Sequence, residues 1–377
     1  MADILLSEPT GDALWVAANS AQPGDRIQCP SGDYGAVGLP AGVLHAAPFV
    51  TLEPAEGADP VFTTLGISGQ EATPTGGYIV QGFDIRMTPA TQYGVYTGWA
   101  RDVVVRRNRI HQADDQTPSG TGVWVRNSIG VEVYENEVYW VGDGIDGAAD
   151  RQGACDGLNV ALNALHDIGA NFMFFSGVSH LAVLHNYGAD ARVIPGVHPD
   201  FCQIANSAGS VSEDVDIIEN EYERGEGDVS QGIFIGDGRR IRVLRNAIRG
   251  AQTNGISVSN TKTIEVAENF VQPYGDIGSS ILVRNAADDV KLIDNWAYVA
   301  VGVPGETQPT NVVNEGNEEV PPATGSDDTT EYDQWKASLG PAPGPDPCAA
   351  EKARIAELEQ QLAEANAKIV NAQAALA

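Results

Sequence analysis

The chain is built on a repeated phrase, apolar-x-apolar-x-x-Asn. Val103 and Val105 lie five and three residues before Asn108, and the same offsets place Val131 and Val133 before Asn136, and Leu158 and Val160 before Asn163. The phrase recurs at Asn186, Asn220, Asn246, Asn269 and Asn295, giving eight copies with spacings of 28, 27, 23, 34, 26, 23 and 26. A period of this length describes stacked units, none of which can bury its apolar side alone. A second phrase, Gly-Val/Ile-x-Val/Ile, stands 14 residues before the Asn at Gly94, Gly122, Gly232 and Gly255, and at Phe172 without the glycine. Two units are longer by five residues, Gly144 to Asn163 and Phe201 to Asn220. Alternation with period two signals strands. Two short strands per unit, joined by corners, predict one coil of a parallel β-solenoid, with Gly82 at the Asn position of the first regular coil. The Asn residues are expected at the corners, where they tolerate left-handed backbone angles and stack amide over amide along the axis. That makes them structural residues.

The flanks read differently. Residues 1–24 hold a short amphipathic stretch, Asp12 to Ala18, expected as a helix capping the open end of the solenoid. Residues 25–302 are the solenoid, and 303–347, rich in Pro, Glu, Asp and Thr, are expected as a partly extended linker. From 348 to 377 the residues Ile355, Leu358, Leu362, Ala365, Ile369, Ala372 and Leu376 step by three and four, a heptad seam that predicts a short α-helical coiled coil. Cys348 lies one heptad before Ile355. The strand number of such a coil cannot be read from its composition.

Charge and cysteine content narrow the functional classes. A formal net charge of −29, with only 22 Lys and Arg, disfavours nucleic acid or an anionic membrane as partner. No apolar run reaches membrane-spanning length. Met1-Ala2-Asp3-Ile4 lacks the basic segment and apolar core of a secretory leader. Cys29, Cys155, Cys202 and Cys348 are far apart and form no CxxC. Together these point to a chain made in a reducing cytoplasm. No phosphate loop, zinc spacing or Ser-His-Asp signature stands out. No cofactor is expected, apart from an acidic cluster of Asp143, Asp146, Asp150 and Asp156 of a kind that Ca²⁺ can occupy.

The opening coils carry a resemblance. Pro23-Gly24-Asp25-Arg26-Ile27, followed by Gly32-Asp33-Tyr34 and then Val50-Thr51-Leu52, resembles the start of the pectate-lyase-like superfamily of right-handed parallel β-helices. The resemblance covers roughly residues 20–302 and is specific for fold. It implies an all-β, single-stranded right-handed parallel β-helix and leaves function open, because the superfamily includes lyases, hydrolases, isomerases and non-catalytic phage spikes. A β-helix followed by a short coiled coil also resembles bacteriophage tail spikes and fibres. That resemblance implies a virion protein, a homotrimer, other virion proteins as partners and a host-surface polysaccharide as ligand.

Candidate site residues follow from aligning the strands. Counting from the Gly position, the outward residues read Tyr96, Trp124, Asp146, Phe174, Gln203, Phe234, Ser257 and Leu282 down the stack. The residue before the Gly reads Tyr93, Thr121, Asp143, Asn171, Asp200, Gln231, Asn254 and Ser279. Aromatic faces interleaved with polar acceptors suit a sugar chain, although β-surfaces are rich in aromatics for other reasons. Val197-His198-Pro199-Asp200-Phe201-Cys202-Gln203 ends the longest loop and resembles an H-x-D-x-x-Q sequence recurrent in phage and carbohydrate-active β-helices. Asp143 and Asp200, two coils apart, are candidates for the acid and base of an inverting glycosidase, with His198 holding one of them or the substrate. The same aspartates also suit turn capping. Trp124, Asp146, Phe174, Arg192, Gln203 and Phe234 are the candidate substrate-binding residues. A lyase is less favoured, because β-elimination from a uronate needs cations and the coils hold only Lys262 and Lys291 besides arginines. Three readings stay open: a glycan-contacting spike or fibre, an active polysaccharide depolymerase, and a purely structural decoration protein.

Overall fold

The structure, a computed structural model, describes residues 1–112, 117–150, 153–206, 210–252, 254–325 and 327–339. The heptad seam and Cys348 lie outside the described residues, as do parts of both five-residue expansions, at 151–152 and 207–209.

The Asn phrase and the Gly phrase both form strands, and each pairs in parallel with its copy one coil away. Val103, Val131 and Val105, Val133 are register partners in the first sheet, and Ile233 and Ile256 in the second. The expected inward positions are buried throughout, among them Val123, Val125, Ile233, Ile235, Ile256 and Val258. They join one continuous apolar core along the axis. Cys29, Cys155 and Cys202 are free and buried in it.

The coils from Phe83 to Asn269 carry a third strand beyond the two expected. A three-residue strand directly follows the Asn, as in Arg109–His111, Glu137–Tyr139 and Ala164–His166, and these pair in parallel across coils. Only the middle residue, such as Ile110, Val138 or Leu165, points into the core. One inward residue carries no alternation, so this third sheet leaves no periodic trace in the sequence.

The Asn column is a buried hydrogen-bonded ladder. Asn108 donates through Nδ2 and through its backbone N–H to Oδ1 of Asn136, at 3.0 and 3.1 Å. The same pair of bonds links Asn136 to Asn163, Asn163 to Asn186, and so on through Asn220, Asn246, Asn269 and Asn295. Each amide also donates to a backbone carbonyl one coil back, for example Asn220 to Val183 at 2.8 Å. The left-handed backbone belongs to the preceding residue, not to the Asn. Arg107, Glu135, Leu162, His185, Glu219, Arg245, Glu268 and Asp294 all have φ between 51° and 58°. A second left-handed column lies six residues before each Asn, at Asp102, Gly130, Gly157, His180, Asp214, Arg240, Thr263 and Asp289. Gly82, with φ 76°, therefore matches Arg107. Phe83 stands at the ladder position, its N–H donating to Asn108 Oδ1 at 3.0 Å.

The N-terminal end is closed. Helix α1, Gly11–Ser20, is capped by Thr10, whose side chain accepts from the Ala13 N–H, and it buries Leu14, Ala17 and Ala18. A strand at Asp3–Leu5, not foreseen, pairs with Arg26–Cys29. At the other end the solenoid does not stop at Gly302. Thr310–Glu315 pairs with Asp288–Ile293, and Asn317 accepts from the Asn295 amide at 2.8 Å, adding a ninth Asn to the ladder. Val320 and Ala323 are buried. Tyr332, at the start of helix α2 (Thr330–Ser338), donates its hydroxyl to Glu221 at 2.7 Å and meets the Phe270 ring edge-on. The stretch from 303 expected as a linker is therefore, up to Tyr332, one more coil and a cover over its flank. Its exposed Glu, Thr and Pro residues hid Val312 and Asn317 from a composition reading.

Candidate functional site

The outward column of the Gly-phrase sheet is continuous in register. Tyr96 pairs with Trp124 and Trp124 with Asp146. Asp146 continues to Phe174, then Gln203, Phe234, Ser257 and Leu282. The neighbouring column runs through Tyr93, Thr121 and Asp143, with Asp200 beside Gln231 farther down. At its end a register shift sets Asn254 against Ser280 rather than Ser279.

These two columns form a face with three zones. At one end Tyr93, Tyr96 and Trp124 cluster, with ring centroids 4.9 to 5.6 Å apart. Arg126 lies over Trp124 at 5.6 Å and pairs with Asp150 at 3.0 Å. In the middle stand Asp143 and Asp146. Gly144 between them must be glycine: a Cβ there would lie 2.3 Å from the Phe172 carbonyl oxygen and 2.6 Å from Leu165. Burial raises the Asp143 carboxyl, and the Asn171 N–H, donated at 3.0 Å, opposes that rise by favouring the anion. Asp146 is pushed up further. Burial is the main cause and the charge of Asp143 adds to it, while a hydrogen bond from Thr121 acts the other way. Two carboxyls whose environments differ in this way split into one that ionises first and one that stays protonated. The third zone holds Asp200, 4% exposed, whose pKa burial lifts to about 7.

Asn171 joins the zones, because its Oδ1 accepts the Asp200 N–H at 3.1 Å while its own N–H binds Asp143. The Asp143 side chain thus leans toward the coil that precedes Asp200. Oδ1 of Asp146 and of Asp200 are shielded from solvent with no hydrogen-bond partner, as is Oγ of Ser257 in the same column. His198 is exposed at the rim. Gln231 donates to its Nδ1 at 2.7 Å and accepts from Asn254 at 2.9 Å, which leaves Nε2 of His198 outward-facing. This Asn–Gln–His relay was not foreseen, since its members come from three separate coils.

Phe174, Gln203 and Phe234 stand on this face half-buried, as does Trp124. Arg192 does not join them. Its guanidinium pairs with Asp167 at 2.7 Å and lies over Trp140 at 6.0 Å, at the wall of a separate cleft of about 570 Å³ that also includes Tyr187, Asp190 and Glu223. The acidic set read as a Ca²⁺ candidate disperses: Asp150 pairs with Arg126, and Asp156 with His180 and Ser179. Among the described residues no group of three or more His, Cys, Asp or Glu is placed to hold a metal ion.

The architecture is that of the right-handed parallel β-helix proteins of pectate-lyase-like type. Among solved structures the chain is similar to the GH136 lacto-N-biosidase of Eubacterium ramulus, with a TM-score of 0.56 and 12% identity over 84% of this chain and 68% of that one. It is also similar to the family 28 exopolygalacturonase of Yersinia enterocolitica, with a TM-score of 0.51 and 11% identity over 84% and 78%. A third likeness is to a glycoside hydrolase, with a TM-score of 0.50 and 13% identity, of which the chain spans 56%. At such identities the likeness is one of fold. No protein-family model matches the sequence, and no curated protein matches it.

Proposed function

We propose that this chain binds a polysaccharide along the outward face of its Gly-phrase sheet and cleaves it by hydrolysis. The observation that carries this reading is the column itself: rings at Tyr96, Trp124, Phe174 and Phe234 alternate with Asp146 and Gln203 in unbroken register. Similarity in fold to enzymes named as glycan hydrolases supports it.

Asp200, with its pKa lifted to about 7, is protonated through the acid range and serves as the general acid. Asp143, held by the Asn171 N–H, serves as the general base. In an inverting step Asp143 takes a proton from water as the water oxygen bonds to the anomeric carbon. The glycosidic C–O bond breaks, and Asp200 gives its proton to the leaving oxygen. Backbones two coils apart are separated by roughly 10 Å, which with side chains leaning inward suits the ~6.5–9.5 Å carboxyl spacing of inverting enzymes. His198, positioned by Gln231, hydrogen-bonds the sugar. In this reading the enzyme is a bacteriophage spike or fibre acting on host-surface glycan. The heptad seam at 355–376 and the acidic, cysteine-poor composition support that placement, and the homotrimer is what the resemblance to phage spikes implies.

The test is to incubate the protein with host polysaccharide and follow reducing ends and the absorbance of unsaturated sugars. New reducing ends without that absorbance are expected for wild type, with losses of at least ~100-fold in Asp200→Asn and Asp143→Asn. Undiminished cleavage in both variants removes the assignment. An unsaturated product replaces hydrolysis with elimination. Binding without any product leaves an adhesin.

A further inference from the structure

The proposed face has an unusual distribution of charge. Its outward positions are Tyr93, Thr121, Asp143, Asp200, Gln231 and Asn254 in one column and Tyr96 through Leu282 in the next. A third column runs alongside through Arg126, Ala148, Ser176 and Ala205, ending near Arg284. Among the described residues of these columns the only cations are Arg126 and Arg284, and neither stands alone. Arg126 is held between Asp150 and the Trp124 ring, and Arg284 is paired with Glu306. Among the described residues, a cluster of cations lies on another sheet. Arg239, Arg240, Arg242, Lys262 and Lys291 lie on the Asn-phrase sheet, where the three arginines are paired with Glu213, Asp214 and Asp216.

The carboxyls of the face supply the second observation. Asp200 is 4% exposed, and its Oδ1, like that of Asp146, is buried with no partner. A buried acid of this kind is satisfied when a ligand accepts its O–H or offers it a hydroxyl.

Resting on the polysaccharide reading above, we propose that the polymer taken by this face is a neutral glycan of hexose or N-acetylhexosamine units, and that polymers bearing uronate, sialate or sulfate are rejected. A uronate carboxylate needs a cation or several N–H donors facing it. Here it meets the Asp143 carboxylate in a partly desolvated site, where like charges repel and, among the described residues of these columns, both arginines are already paired. Hydroxyl and acetamido groups instead hydrogen-bond the half-buried Asp143 and Gln203 without needing a counter-charge. The rings of Tyr93, Tyr96 and Trp124 cover the apolar faces of uncharged sugars without any charge requirement.

The experiment compares binding of the full chain to neutral polymers (a galactomannan, a glucan, an N-acetylglucosamine polymer) with binding to polygalacturonate and alginate at one fixed ionic strength, by affinity electrophoresis. A preference of at least ~10-fold for a neutral polymer is expected, as is a rise in relative uronate binding in Asp143→Asn, with Asp146→Asn, which removes no charge, as the control. Tighter binding or cleavage of either uronate polymer by wild type overturns the neutral-glycan assignment and keeps the polysaccharide reading. Binding to no polymer of either kind sinks the polysaccharide reading and this inference with it.

Discussion

Asp200 shows what a single residue contributes and what it costs. Its carboxyl is lifted from 3.8 to about 7 by burial, and its Oδ1 has no partner. Below pH 3.8 the group is neutral in both the folded and the unfolded chain. Between 3.8 and about 7 it is ionised only when unfolded, so unfolding releases a proton and stability falls as pH rises, levelling off above about 7. The loss amounts to at most roughly 4 kcal/mol, at ~1.4 kcal/mol for each unit of the shift. Thermal melts should therefore show a Tm that declines from about pH 5 to 8 in wild type and declines less in Asp200→Asn, which should also be the more stable protein at pH 8. An unchanged slope in that variant would assign the buried charge to another group. Such a gain in stability with loss of cleavage is what a strained functional carboxyl predicts. Little of this was legible beforehand. The alignment put Asp143, Asp146 and Asp200 on one face, but their protonation depends on burial and on Asn171 and Thr121, which belong to other coils.

Elements in this protein are stabilised across coils rather than within them. The Asn ladder is the clearest case, since each amide serves neighbours on both sides. Asn220 accepts from the backbone and side chain of Asn186, and it donates to Val183 and to Asn246. Asn220→Ala leaves a buried N–H at Asn186 and a buried carbonyl at Val183, at a cost of about 3–5 kcal/mol. Asn317 ends the ladder half-buried, where water can replace lost partners, so Asn317→Ala should cost only ~1 kcal/mol. Denaturant melts of the two variants check this, and equal losses would mean that the ladder is not the main role of these side chains. The repeating Asn was plain in the sequence. The left-handed residues beside it were not, because Arg107, Glu135, Leu162 and Glu219 occupy four of those positions and none of them is a residue type that signals left-handed backbone. The three-residue strands escaped for the related reason that each has only one inward residue.

At the scale of the molecule, the solenoid needs closing at both ends and, in the proposed reading, assembly through residues 348–377. Deleting those residues is expected to turn a trimer into a monomer in analytical ultracentrifugation while leaving the β-rich circular dichroism spectrum intact. A wild-type chain that sediments as a monomer would remove the coiled-coil role. What the sequence determined by itself was the solenoid, its inward rows and the approximate outward columns, because parallel coils stack like on like and print the same pattern at every turn. Tertiary structure alone decided the rest. Cross-coil contacts between residues 22 to 33 apart make the relay from Asn254 through Gln231 to His198 and the bridge of Asn171 between Asp143 and Asp200. They also turn Arg192 away to Asp167 and extend the stack to Asn317. Apart from Asn317 none of these partners repeats, so no periodicity announces them. They depend on which side chain each neighbouring coil happens to present.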